Sequence, residues 1–398
     1  MKIGILTGGG DAPGLNSVIY GVLLRAYRSG HQVIGLKKGW RLFSIPNDEL
    51  TPEVIQKNTV ELKAADHDDL HTVGGTIIYS SRTNPFKDVK KIEDPEKKEA
   101  ALDALAKDMK SKFDILGIDC LIAIGGDDTC GVADLIYKRT QAQVICCPKT
   151  IDNDLNGTDY TFGFYSGAQL ASDVLDNIQT TASSHQRIFV MEVMGRDAGW
   201  LTLYSGISAG SGIILLPEEN FDFEKDIVEV LKKRSSAGYK YHIIACSEGA
   251  QPTKESLERD FPQSQETFKT LKKDNFGNPI LAGVISQVIR NELEKRDDLK
   301  DYFAQNDCPL EVREVVIGHT MRVGTPNVFD RILGLRFGLK AAKCIEEGKF
   351  GVMVALDGDE IVTKSFEEAL SAKKYVNLES DLAELRELLV NVKYESKL

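Results

Sequence analysis

Two runs rich in apolar and β-branched residues, Cys120-Leu-Ile-Ala-Ile124 and Gln143-Val-Ile-Cys-Cys147, break abruptly into glycines and charges. The first becomes Gly125-Gly126-Asp127-Asp128-Thr129, the second Pro148-Lys149-Thr150-Ile151-Asp152-Asn153-Asp154. A continuous apolar run without alternation reads as a strand buried on both faces of a parallel sheet. Open α/β sheets build their sites where such strands end. Glycines, acids and one lysine therefore stand at positions suited to chemistry. Paired carboxylates there suit a hydrated divalent cation and a general base, the two needs of phosphoryl transfer. Turn chemistry explains either segment alone, but not both together with the motifs below.

Strands are expected at 2–7, 32–36, 120–124, 143–147, 188–194, 212–216, 241–247 and 314–318. Helices are expected at 15–28, 95–112, 131–138, 166–180, 225–236, 281–296 and 330–347. The alternation predicts an α/β chain with mostly parallel sheets and helices on both faces. At 398 residues the chain is too long for one core, so two Rossmann-like three-layer α/β/α domains are expected, with the active site in the cleft between them. The expected division is 1–162, 163–324 and a C-terminal helical segment 325–398 that returns to the first domain. Residues 251–279, charged and without a continuous apolar face, read as a surface insertion. Leu382, Leu385, Leu388 and Leu389 mark a packing face in the tail.

A net charge of -11, without a basic block, argues against nucleic acid as a partner. The chain opens straight into a strand. It has no charged-then-apolar leader and no apolar stretch of membrane-spanning length, so no membrane association is expected. Seven cysteines, most in apolar contexts (Cys120, Cys146, Cys147, Cys246, Cys344), read as reduced, buried thiols of a cytoplasmic protein.

Further phosphate signals stand at other strand ends. Thr7-Gly-Gly-Gly-Asp-Ala-Pro-Gly-Leu-Asn16 joins a strand to a helix, where backbone N–H groups can face an anion. Arg82 closes Gly74-Gly-Thr-Ile-Ile-Tyr-Ser-Ser-Arg82, and Met191-Glu-Val-Met-Gly-Arg-Asp197 ends a strand with Gly195 and Arg196. Arg187 precedes that strand, Glu248 ends another, and Arg313, His319 and Arg322 flank a third. A guanidinium offers a planar fork for phosphate oxygens.

These segments resemble the phosphofructokinase family nearly continuously from Lys2 to about Gly348. The resemblance rests on TGGGDAPGLN, GGDDT, PKTIDNDLNGTDYTFGF, SSHQR, MEVMGRDAGWL and GHTMRVGTP with the DRI that follows. It implies a glycolytic, reversible, Mg2+-dependent phosphotransferase acting on fructose 6-phosphate. Gly10 would lie in the donor loop, Asp127 would hold magnesium, and Asp152 would be the base for the sugar 1-hydroxyl. Asp154 would belong to the same acidic cluster. Thr150, Met194, Gly195, Arg196, Glu248, His319 and Arg322 would contact the sugar phosphate, with Arg82 stabilising the transferring group. Arg187 and Arg313 would reach a neighbouring subunit's site, which implies a homo-oligomer.

Within the resemblance, Asp128 and Lys149 stand where ATP-using bacterial members carry glycine and where pyrophosphate-using members carry the same two residues. Two like charges about 4 Å apart repel by on the order of 4 kcal/mol at an effective dielectric near 20, so Asp128 opposes a nucleotide α-phosphate. Lys149 supplies a cation to pyrophosphate. Pyrophosphate is the expected donor and ATP the alternative. A different small-molecule kinase lacks PKTIDND and MGRDAGW, and a silent regulatory subunit would be expected to have lost Asp127 or Asp152. Tyr20 replaces an effector-site arginine of the bacterial enzymes, and Met321-Arg-Val-Gly-Thr-Pro326 departs from their QRGGSP.

Overall fold

The computed structural model describes residues 1–271 and 281–391, which form two compact units. One comprises Met1–Ser166 with Arg322–Lys374, the other Gly167–Met321 with the chain from Tyr375 onward.

The first unit carries β1 (Lys2–Gly8), β2 (Gln32–Leu36), β3 (Thr59–Leu62), β4 (Ser80–Ser81), β5 (Cys120–Gly125) and β6 (Val144–Pro148). The second contributes β7 (Ile188–Val193), β8 (Ile213–Leu215), β9 (His242–Ser247) and β10 (Val312–Val316). The first unit resumes with β11 (Val352–Asp357) and β12 (Glu360–Ser365). Its sheet runs β12-β11-β6-β5-β1-β2-β3, with β4 beside β1. The central strands are parallel, and the edge strands β3 and β12 are antiparallel to their neighbours.

Successive side chains of each central strand enter opposite cores, because strand side chains alternate between faces. Ile3, Ile5, Ile122, Ile124 and Ile145 pack with the helices Leu15–Arg28 and Val328–Glu346. Leu6, Leu121, Ala123 and Val144 pack with Pro95–Leu116 and Asp127–Thr140. Double coverage explains why these strands read as unbroken apolar runs.

The second unit's sheet runs β10-β7-β9-β8, all parallel. One face packs on a core that includes Ile227, Ile285, Leu293 and Phe303. The other meets the helix Trp200–Ser208 and the C-terminal segment through Leu203, Ile214, Leu216 and Val376.

Several expectations are corrected. The strand expected at 314–318 lies at Val312–Val316. The segment 325–398 is not purely helical: the Gly-Asp turn at 358–359 joins β11 and β12 as a hairpin. Its return to the first unit also stops at Lys374, and from Tyr375 the chain belongs to the second. Val376 supplies the reason, since it is buried in the second unit's core. In the tail, Leu385 and Leu388 are exposed, while Ala383 is buried and Leu382 packs.

The insertion read at 251–279 lies in part, at 272–280, outside the described residues. Its described portion forms helices Lys254–Asp260 and Gln265–Lys269. Phe261 between them is buried edge-on against Phe223, ring centroids 5.0 Å apart, so this portion is anchored in the core. Cys146 is not a free thiol: it bonds Cys130, with Cα atoms 5.8 Å apart. Cys130 lies in the helix that follows β5 and Cys146 on the neighbouring strand β6, both facing the same core. Cys120, Cys147, Cys246 and Cys344 are free and buried, as is Cys308. Among the described residues no helix is long and apolar enough to cross a membrane.

Candidate active site

In the first unit three neighbouring βα connections leave the carboxyl ends of β1, β5 and β6. The short strand β4 pairs with the end of β1, Thr7 to Ser80 and Gly8 to Ser81. Gly9 N–H donates to the Ser81 carbonyl at 2.9 Å, and Ser80 Oγ donates to the Gly9 carbonyl at 2.7 Å. These bonds hold the exposed Arg82 beside the glycine turn. From β5 the chain passes through Gly126 into the helix Asp127–Thr140, so Asp127 and Asp128 stand exposed on its first turn. Carboxylates are favoured there by the unpaired amides of a helix amino end. Asp127 Oδ1 accepts the Asp128 N–H at 2.8 Å.

Lys149 N–H donates to the Gly125 carbonyl at 2.9 Å, which brings the β6 connection against that of β5. The lysine side chain is buried. A methyl group on Gly9 would lie 3.5 Å from its Nζ, and one on Gly10 would collide with the Arg322 guanidinium. Glycine at position 10 is what lets that cation reach the turn. Burial, then the nearby Arg322 charge, lowers the Lys149 ammonium to about 8, against the opposing pull of Asp152, Asp11 and Asp127. Arg322 Nε is buried without a hydrogen-bond partner among the described residues. Two crowded cations over a glycine turn, one with an unused N–H, form a cradle for an anion.

Beyond Lys149, Asp152 N–H donates to Thr150 Oγ1 at 3.0 Å, and Thr161 Oγ1 donates to the Thr150 carbonyl at 2.7 Å. Asn153 has a left-handed backbone (φ 52°), and its buried Oδ1 accepts the Thr161 N–H at 3.2 Å. Asp152 and Asp154 therefore flank a fixed turn. Burial, and next the Asp127 charge, raises the Asp154 carboxyl above its ordinary value. Asp127 and Asp154 thus belong to one acidic locus.

In the second unit Met194, Gly195 and Arg196 follow β7, Glu248 follows β9 and His319 follows β10. These strands are parallel neighbours, so all five residues gather at one end of the sheet. Gly195 adopts φ 144°, a conformation strained for any side chain, and its carbonyl accepts the Gly249 N–H at 3.0 Å. Glu248 N–H donates to the Val193 carbonyl at 2.9 Å. Met194 is buried while Arg196 and His319 are exposed. Glu218 Oε1 steadies the end of this loop, accepting the Gly199 and Val376 N–H groups, each at 2.9 Å.

Arg187 and Arg313 stand apart from these five residues, at the amino ends of β7 and β10. Both engage Glu311, Arg187 Nε at 2.8 Å from its Oε2 and Arg313 through its Oε1. The pair holds the Glu311 carboxyl below its ordinary value. A strand of this length separates them from the loop after β7 by roughly 20 Å.

Sequence reasoning missed Asp11, Glu218 and Glu311. Glu218 carried a signal, an acid after the strand Ile213–Leu215 and Pro217, whereas Glu311 is marked only by its partners in space. Tyr20, expected at an effector position, stacks on His71 with ring centroids 5.2 Å apart.

A doubly covered parallel sheet with an anion cradle and a carboxylate locus at its strand ends defines a phosphate-handling α/β protein. The sequence model of the family Phosphofructokinase matches residues 2–345. The chain is 38% identical over 378 residues to a pyrophosphate--fructose 6-phosphate 1-phosphotransferase of Streptomyces coelicolor, covering 95% of this chain and 96% of that one. It is 36% identical over 383 residues to an ATP-dependent 6-phosphofructokinase of Corynebacterium efficiens, covering 95% and 96%. The crystal structure of Pichia pastoris phosphofructokinase in the T-state superposes with a TM-score of 0.70 at 26% identity; the match covers 98% of this chain and 39% of that longer one. The chain belongs to the phosphofructokinase family and is a phosphotransferase.

Proposed function

We propose that the protein transfers a phosphoryl group reversibly from pyrophosphate to the 1-hydroxyl of fructose 6-phosphate, giving fructose 1,6-bisphosphate and phosphate in glycolytic metabolism. The observation that carries the choice of donor is the buried Lys149 crowded against Arg322 over Gly9 and Gly10, with Asp128 on the adjacent helix turn. That cradle concentrates positive charge for a small, highly charged anion. Asp128 places a carboxylate where a nucleotide would continue. Relatives named for either donor are similar to this chain, so the distinction rests on these two residues.

In this reading Asp152 takes the proton from the sugar 1-hydroxyl as that oxygen bonds the transferred phosphorus and the bond to the departing phosphate breaks. Arg82 and Arg196 neutralise charge that develops on the transferring group. Thr150, Met194, Gly195, Arg196, Glu248, His319 and Arg322 bind the sugar phosphate. Arg322 also lies beside donor residues Gly10 and Lys149. Arg187 and Arg313 serve the site of a second copy, a role supported by their placement at the far end of their own sheet.

Asp127 and Asp154 fit Mg2+: they are hard oxygen donors close enough to repel, and magnesium completes its shell with water and phosphate oxygens. Asp127 would hold the ion, which when bound neutralises phosphate charge. Initial rates with fructose 6-phosphate and magnesium, with pyrophosphate or ATP as sole donor, test the proposal. Turnover with pyrophosphate and little with ATP is expected. The reverse result would show that Asp128 does not exclude a nucleotide.

A further inference from the structure

The family match ends at residue 345, yet the chain returns to the Asp152 loop well beyond it. Lys374 N–H donates to the Asp154 carbonyl at 2.9 Å, and Leu155 forms an antiparallel bridge with Lys373. The Lys374 side chain then folds onto the same loop. Its Nζ donates to Asn153 Oδ1 at 3.1 Å, to the Thr158 carbonyl at 3.0 Å and to the Asp159 carbonyl at 2.7 Å. The ammonium also lies 5.8 Å from the centre of the Tyr160 ring. All three donors of the ammonium are thereby used within one short stretch.

That stretch begins at the residue next to Asp152. Asn153 is the left-handed corner of the turn, and its buried amide oxygen receives both the Lys374 ammonium and the Thr161 N–H. Thr161 in turn grips the Thr150 carbonyl, and Thr150 Oγ1 receives the Asp152 N–H. One unbroken chain of hydrogen bonds therefore runs from Lys374 to the backbone of Asp152. Burial lowers the Lys374 ammonium to about 8, a desolvation cost offset by the three acceptors. A surface lysine serving only solubility would incur no such cost.

We propose that Lys374 is a positioning residue for the reaction: its ammonium locks the turn at Asn153 and so sets the direction of the Asp152 carboxylate toward the sugar hydroxyl. The inference rests on the reading of Asp152 as the base. A carboxylate displaced by a fraction of an ångström loses its line to the proton it must take, while substrate contacts made elsewhere persist.

The test is a double-mutant cycle between Lys374→Met and Asp152→Ser, read as kcat, KM for fructose 6-phosphate and residual rate, beside the wild-type protein. Lys374→Met is expected to lower kcat by roughly ten-fold or more and leave KM within about two-fold. In the Asp152→Ser background it is expected to change the residual rate by less than about two-fold, because the group it positions is already gone. An equal loss in both backgrounds, or a lowered melting temperature with unchanged kcat, would overturn the positioning role. Wild-type turnover in Asp152→Ser alone would instead overturn the base assignment, and this inference with it. If Lys374→Met does not fold, Lys374→Gln, which retains an amide donor without the charge, carries the same comparison.

Discussion

Lys149 shows how a single side chain can work against stability and for function. Its ammonium is buried beside Arg322, and burial lowers it to about 8. At neutral pH it is held charged at a desolvation cost. Lys149→Met should raise stability by on the order of 1–3 kcal/mol at neutral pH while pyrophosphate-dependent turnover collapses. Thermal melts paired with kinetics check this, and a lowered melting temperature would count against the crowded-cation reading. The sequence made Lys149 legible because it follows an apolar strand. Its pairing with Arg322 was not legible, since the two are far apart in the chain and are brought together over the Gly9–Gly10 turn.

Among elements, the helix Val328–Glu346 is tied down at its start by Asp330. Asn327 caps it, accepting the Asp330 N–H at 2.9 Å. The buried Asp330 Oδ2 accepts from Ser166 N–H at 2.7 Å and Ser166 Oγ at 2.6 Å. Burial pushes this carboxyl up to about 6 despite those bonds. The folded state therefore binds a proton more tightly than the unfolded chain, and the resulting stabilisation is complete below about pH 4 and lost as pH rises through about 6. The stability advantage of the wild type over Asp330→Asn should shrink by on the order of 3 kcal/mol between those limits. Denaturant melts of both proteins at pH 4 and pH 7 read this directly, and a constant difference would exclude the linkage.

The helix Asp127–Thr140 is fastened differently, by Cys130–Cys146 across a sequence separation of 16. A loop of that length is worth about 3 kcal/mol in the chain-entropy model. Reductant should lower the melting temperature of the wild type but leave Cys130→Ser unaffected. Neither cysteine advertised the bond: Cys146 lies in an apolar strand that a free thiol fills equally well, and Cys130 follows the polar start of a helix, where nothing local names its partner.

For the whole molecule, the positions of Arg187 and Arg313 bear on assembly. Held by Glu311 at the amino ends of β7 and β10, they stand at the opposite end of the sheet from Arg196 and Glu248. If they complete the site of a second copy, then Asp152→Ser and Arg313→Ala, each nearly inactive alone, should recover activity when co-assembled. One hybrid site then contains neither change. Mixed refolding followed by assay checks it, and no gain over the separate variants would confine Arg313 to its own subunit.

The parallel α/β architecture and the strand-end motifs were determined by the sequence alone, because apolar runs and glycine-acid turns are short and report only local conformation. The division of the C-terminal segment, the Phe261 anchor, the Lys149–Arg322 cradle, the Glu311 bridge and the Lys374 hold on Asn153 were decided by tertiary structure. Each of these joins groups distant along the chain, and a partner's identity follows from where the sheets bring their strand ends and connections, which no local pattern encodes.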